Sequence, residues 1–127
     1  EFRHDSWAND KVFSELERRK VTLVSVDEPD LPDLFPRLDV ITNPDLFYIR
    51  FHGRNSKGWR SGNMQKQFDY DYAHWELAKW AATIKTAMMQ NTAGGGIFFN
   101  NHVRGQAPKN ALHLIDLLLK DHHHQKT

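Results

Sequence analysis

Leu46-Phe47-Tyr48-Ile49-Arg50-Phe51-His52-Gly53-Arg54 is the stretch on which the fold turns. Its aromatic and β-branched residues read as a short strand, and it ends abruptly in charge. On an extended backbone Tyr48, Arg50 and His52 project from one face, and Ile49 and Phe51 from the other. The apolar face packs under helices. The face with Arg and His must look into something polar, such as the mouth of a barrel. Other runs end the same way. Val21 to Val26 closes in Asp27-Glu28-Pro29, and Ile97 to Phe99 closes in Asn100-Asn101-His102. The chain opens on a further strand-like run, Glu1-Phe2-Arg3-His4. Polar groups gathered at one end of successive strands are how an α/β sheet builds a site, since ligands bind beyond the carboxyl ends of parallel strands.

Helical patterns separate these runs. Asn9 or Asp10 can cap a first helix with Val12, Phe13 and Leu16 on its apolar face and Arg18, Arg19 and Lys20 at its C-terminal end. Four of the five prolines fall between Asp27 and Asp45, which argues against a long helix there. A polar and aromatic loop from Gly53 to Ala73 precedes a helix over about 74–90, with Leu77, Ala81, Ile84 and Met88 at helical spacing. Gly94-Gly95-Gly96 leads into the last strand, which the glycines should keep short. A third helix opens near Pro108 with a stripe of Ala111, Leu114 or Ile115, and Leu118. Strands joined by helices or long crossovers imply a parallel sheet. An eight-stranded (β/α) barrel takes about 250 residues, so 127 residues hold half of one. The expected architecture is α/β and TIM-barrel-like: about four parallel strands with helices over residues 1–120, then a solvated tail, 121–127, containing His122-His123-His124.

Composition narrows the function classes. A net charge of +1 gives no strong field toward nucleic acid or anionic membrane. The absence of cysteine excludes disulfides and thiolate metal sites. No apolar stretch approaches a membrane span, so a soluble cytoplasmic protein is the expectation. The first residue is Glu1 within a strand-like run, which reads as a cut N-terminus.

The candidate chemistry lies at the strand ends. Arg50 and His52, two apart on a strand, reach one space. Arginine suits bidentate binding of a carboxylate or phosphate, and histidine suits proton transfer. Asp27 reads as a general base, or as the partner of Arg3 or Arg50 in a buried ion network. Asp27 and Glu28 point to opposite faces and are no ready-made glycosidase pair. The catalytic candidates are therefore Asp27 and His52, with Arg3, Asp27, Arg50, His52 and Asn100 expected to converge. Arg3, His4, Glu28, Arg50, Arg54, Trp59, Asn100, Asn101 and His102 are candidate ligand contacts. His4, Asp27, His52 and His102 lack any tight spacing such as His-x-His, so no metal is expected. The sequence leaves any cofactor unknown. The expected partner is a small polar, anionic ligand. The alternatives are a phosphate or single-stranded nucleic-acid module using the basic and aromatic residues of 54–72, or a fragment without independent function. Half a barrel would also self-associate.

The motifs resemble one family. Glu-Phe-Arg-His-x-Ser-Trp at 1–7, Val-Asp-Glu-Pro at 26–29, Tyr-Ile-Arg-Phe-His-Gly-Arg at 48–54 and Phe-Asn-Asn-His-x-x-Gly-Gln-Ala at 99–107, followed by Asn110-Ala111, are similar to the domain-of-unknown-function 72 (YecE-like) family. The resemblance spans the whole chain. It implies a TIM-barrel-like fold of which this chain carries the last four strands, and it brings no established reaction. Gly94–Gly96, Ala73 in place of a capping Ser or Thr, and Gln67 in place of a basic residue depart from the family pattern.

Overall fold

The computed structural model describes residues 1–124. The order is a short 3-10 turn (Asp5–Trp7), α1 (Asp10–Arg19), β1 (Val24–Asp27), β2 (Phe47–Phe51), α2 (Met64–Gln67), α3 (His74–Thr83), a π-helical turn (Ile84–Met88), β3 (Gly95–Phe99), a 3-10 turn (Val103–Gly105) and α4 (Gln106–His124). Asn9 caps α1 by accepting from the Val12 N–H at 3.0 Å, and Lys20 ends it in the left-handed conformation at φ 52°. The proline-rich crossover from β1 to β2 contains no helix.

The three strands form one parallel sheet in the order β1-β2-β3. Asp27 aligns with Phe51, and Phe51 with Phe99; Val26 aligns with Arg50, and Arg50 with Phe98. The Ile49 and Phe51 side of the sheet packs on Leu77, Trp80, Ala81, Ile84, Met88 and Leu114, joined by Ile97 and Phe99. A smaller cluster of Leu23, Val26 and Phe35 takes in Phe13 and Leu16 of α1. The other side of β2 and β3 carries Tyr48, Arg50 and Phe98. Phe98 is stacked on Tyr48 at 4.8 Å and is 47% exposed.

Four features differ from the sequence reading. The opening run joins no strand of the sheet: His4 makes an isolated antiparallel bridge to Leu34, and Arg3 O accepts from Phe35 N–H at 3.1 Å. The strand at 95–99 is longer than its glycines implied. Gly95 is required there because a Cβ would run into the Phe47 ring. On α4, where Leu114 is the buried member of the expected Leu114-or-Ile115 pair, the polar Asn110 takes a core position that the apolar stripe did not include. Finally, α4 carries the backbone of 121–124 in helix; 125–127 and the side chains of 121–124 lie outside the described residues.

Candidate functional site

Asp27 and Arg50 lie on opposite faces of the sheet, because Asp27 aligns with the buried Phe51 and Arg50 with Val26. One convergent site holding both is thereby corrected. The carboxyl end holds two separate polar clusters, one on each face.

The first is built around Asp27, which is fully buried. Oδ1 accepts from Arg54 Nε at 2.9 Å and from the Tyr72 hydroxyl at 2.6 Å. Oδ2 accepts from Arg54 Nη2 at 2.6 Å and from Trp80 Nε1 at 2.7 Å. Arg54 also reaches Glu76 Oε2 at 3.0 Å, and Glu76 accepts from the Tyr70 hydroxyl and the Ala73 N–H. These partners hold the Arg54 guanidinium protonated against its burial. Burial, with Asp27 beside it, drives the Tyr72 hydroxyl well above its usual range. With its lone pairs taken by four donors, Asp27 has no capacity left as a base. It is the anion of a buried network whose cation is Arg54, not Arg3 or Arg50 as the sequence proposed. Gly53, at φ +90° with a Cβ position 2.8 Å from Tyr70 Cβ, lets its N–H donate to the Tyr72 hydroxyl at 2.8 Å.

Asn101 belongs to this framework. Its Nδ2 donates to Tyr70 O at 2.8 Å and Asn110 Oδ1 at 2.7 Å, and Asn110 Oδ1 also accepts from Tyr72 N–H. Gln106 accepts from Tyr70 N–H and donates to Asp69. Asn101, Gln106 and Asn110 thus fasten the 69–72 segment to α4.

The second cluster lies on the Arg50 face. The parallel ladder continues past the strands: His52 N–H donates to Asp27 O at 2.8 Å, and Asn100 N–H to Phe51 O at 2.7 Å. This places Glu28, His52 and Asn100 in one row. Glu1 reaches them from the N-terminal segment. Its carboxylate accepts from Arg50 Nη1 at 2.7 Å, lies 3.1 Å from His52 Nε2 and 3.3 Å from Arg3 Nε. Asn100 Nδ2 is 3.3 Å from His52 Nδ1; with its amide turned the other way, Asn100 accepts from Arg50 Nε and Nη2. Glu28 is 3% exposed, and its Oε1 has no hydrogen-bond partner among the described residues. Burial first, then the Glu1 carboxylate, push its carboxyl up to about 7. Burial alone would raise Glu1 as well, but His52, Arg50 and Arg3 outweigh it and hold Glu1 low. Burial lowers His52, against the pull of Glu1.

Aromatic rings wall this cluster. Trp59 lies 6.5 Å and Phe68 6.2 Å from the His52 ring, and His102 is 5.7 Å from Phe68. The loop carrying Trp59 is cross-braced: Asn55 Nδ2 donates to Lys66 O at 2.7 Å and Asp69 O at 3.1 Å, while Asn55 Oδ1 accepts from Gly58 N–H.

His4 is placed elsewhere. Its Nδ1 accepts from Ser6 N–H at 3.1 Å and caps the 5–7 turn. His4, Asp5 and Asp33 have ligand atoms within 4.8 Å of one another, all exposed. Glu1 is a site member that the sequence reading counted only as part of a strand. Phe68 entered that reading only among the aromatic residues of 54–72, and its phase within the loop is invisible without the loop's bracing.

The fold is thus a parallel α/β sheet with a charged, aromatic-walled cluster beyond the carboxyl ends of its strands. The chain matches the family model described as "Protein of unknown function DUF72" over residues 1–127, and it belongs to that family. It is similar to a DUF72 family protein of Thermotoga maritima, with a TM-score of 0.87 and 36% identity, covering 93% of this chain and 44% of that one. A DUF72 family protein of Enterococcus faecalis gives a TM-score of 0.84 at 32% identity, over 92% of this chain and 45% of the other. UPF0759 protein YunF of Bacillus subtilis is 27% identical over 93% of this chain and 45% of its own length. The chain spans about half the length of these relatives. No helix among the described residues is long and apolar enough to cross a membrane.

Proposed function

We propose that the row Glu28–His52–Asn100, with Glu1, Arg3 and Arg50, binds a small polar anion and exchanges protons with it. We also read the sheet as an arc of a TIM-like barrel whose inner face is the Arg50 side. Parallel strands, α3 and α4 packed on the opposite face and charge gathered beyond the carboxyl ends support that reading. The observation that carries the functional reading is Glu28, a buried carboxyl whose Oε1 lacks any partner and whose titration is moved to about 7. Buried polar atoms are nearly always hydrogen-bonded, so an unpaired carboxyl oxygen with a raised titration at a strand end marks a candidate for chemistry. At neutral pH Glu28 is part-protonated and can give or take a proton. Arg3 and Arg50 then face one fully ionised carboxylate, Glu1, leaving positive charge for a ligand anion. Arg3, with a side chain 73% exposed, is the accessible half of that clamp. His52 offers a second proton-carrying group, and Trp59 and Phe68 shield the site from water.

The test is a side-chain NMR titration of Arg3 and Arg50 with small organic acids and sugar phosphates. At least one should give saturable shifts that Arg50→Ala abolishes and Asp69→Asn leaves intact. Saturable binding that survives Arg50→Ala, or no saturation by any acid, contradicts the proposal. Salt-sensitive affinity for single-stranded oligonucleotide alone would transfer the function to the 54–72 loop.

A further inference from the structure

A second cleft, of about 480 Å³, opens on the opposite side of the sheet from the Glu28 row, between α3 and the proline-rich crossover. Its lining includes Arg37, Asp39, Trp75, Lys79 and Thr83, with Arg54 at its base. Trp75, Lys79 and Thr83 follow one another at four-residue spacing, so they form a single stripe along α3. Trp75 is 64% exposed, and the Arg54 guanidinium lies 6.0 Å from its ring centroid. An exposed indole beside a cleft is a stacking platform. Arg54 is consumed by Asp27 and Glu76, but the exposed cations at the lip are not. Lys79 makes no hydrogen bond or ion pair among the described residues, and Arg37 makes a single one, from Nη1 to Glu28 O at 2.8 Å. Arg37 and Lys79 against Asp39 leave one positive charge at the rim. Asp39 and Thr83 add acceptors for a hydroxyl or an amine.

We infer that this cleft binds a nucleoside monophosphate, with the base on Trp75, the phosphate between Arg37 and Lys79, and Asp39 accepting from a ribose hydroxyl. A flat ring, one anion and a diol are what this set of groups can satisfy together, in a volume of the size that ligand pockets occupy. The cleft shares no side chain with the Glu28 row and meets it only where Arg37 donates to the Glu28 main-chain carbonyl, so the inference does not rest on the proposal for that row.

Calorimetric titration of the full chain with adenosine 5′-monophosphate tests it, with adenosine and inorganic phosphate as half-ligands. The nucleotide should saturate, and each half-ligand should bind at least about tenfold more weakly. Trp75→Ala should weaken the nucleotide about fivefold or more, the stacking contribution, and Lys79→Ala about tenfold, one charge-assisted contact. Both residues are exposed, so the melting temperature should hold and loss of binding is not loss of fold. Arg19→Ala, on α1 and away from both clusters, should leave the nucleotide affinity unchanged. Absence of saturation, full affinity in Trp75→Ala and Lys79→Ala, or nucleotide binding that Arg50→Ala alone abolishes each overturns the assignment.

Discussion

Two adjacent carboxyl groups, Asp27 and Glu28, show how surroundings assign roles. Asp27 meets the hydroxyl of Tyr72, the indole N–H of Trp80 and two guanidinium nitrogens of Arg54, so it is held as a fixed anion. Glu28, one residue on and facing the other way, keeps an unpartnered Oε1. Asp27→Asn should therefore cost about 3–5 kcal/mol, the range for stranding one member of a buried pair, here Arg54. Chemical denaturation measures it; a loss below about 1 kcal/mol would mean the network is dispensable. Glu28 carries a pH signature. Its carboxyl is raised from 4.5 to about 7 in the folded chain, so folding favours the protonated form. That contribution is whole below the unfolded value and is lost as pH rises through the folded one. The neutral isostere Glu28→Gln should thus gain stability relative to the native chain between about pH 5 and pH 8, by at most about 3 kcal/mol. A pH-independent difference would show that Glu28 is already ionised.

At the scale of elements, much was legible and one quantity was not. The apolar runs located β1, β2 and β3, and the 3.6-residue spacing of Leu77, Ala81, Ile84 and Met88 located α3 and the π-turn that extends it. Register was hidden. Alternation within each strand leaves open whether Asp27 shares a face with Arg50 or with Phe51, and the ladder aligns Asp27 with Phe51. A slip of one residue moves a side chain to the other face, which is why the sequence put Asp27 in the wrong cluster. What sets the register is packing: Phe51 and Phe99 must reach α3 and α4, and the aromatic and arginine donors behind the sheet make a buried aspartate tolerable beside them. The opening run was misread for a related reason, since Phe2 finds its partners in Trp7 and Phe35 rather than in a neighbouring strand. The 53–73 segment read as a polar and aromatic loop, and its bracing by Asn55 could not be seen without coordinates. If Trp59 is a cover for the Glu28 row, Trp59→Ala should weaken anion binding with little change in melting temperature. Asn55→Ala should speed tryptic cleavage at Lys57, Arg60 or Lys66 by about tenfold or more, because an amide bonded to Lys66 O and Asp69 O is what closes that loop. Unchanged cleavage would place the bracing elsewhere.

For the whole molecule, the sheet is the feature to explain. Its three strands, β1 and β3 at the edges, present a face on which Phe98 is 47% exposed over Tyr48. On α4, Leu112, Ile115 and Leu119 are exposed as well. Open edges and apolar patches of this kind promote association. Sedimentation of the chain should show self-association that Phe98→Asp reduces; a monodisperse monomer at high concentration would count against it. Net charge near zero leaves little repulsion to oppose contact.

The Glu28 row rather than Asp27 as the chemical centre is the claim on which the rest depends. Its most direct measurement is a carbon-detected NMR titration of the Glu28 side-chain carboxyl in the intact chain. The account predicts a midpoint near 7, moving downward when Glu1→Gln removes the neighbouring charge. A midpoint in the ordinary range of about 4–5, unmoved by Glu1→Gln, would contradict it.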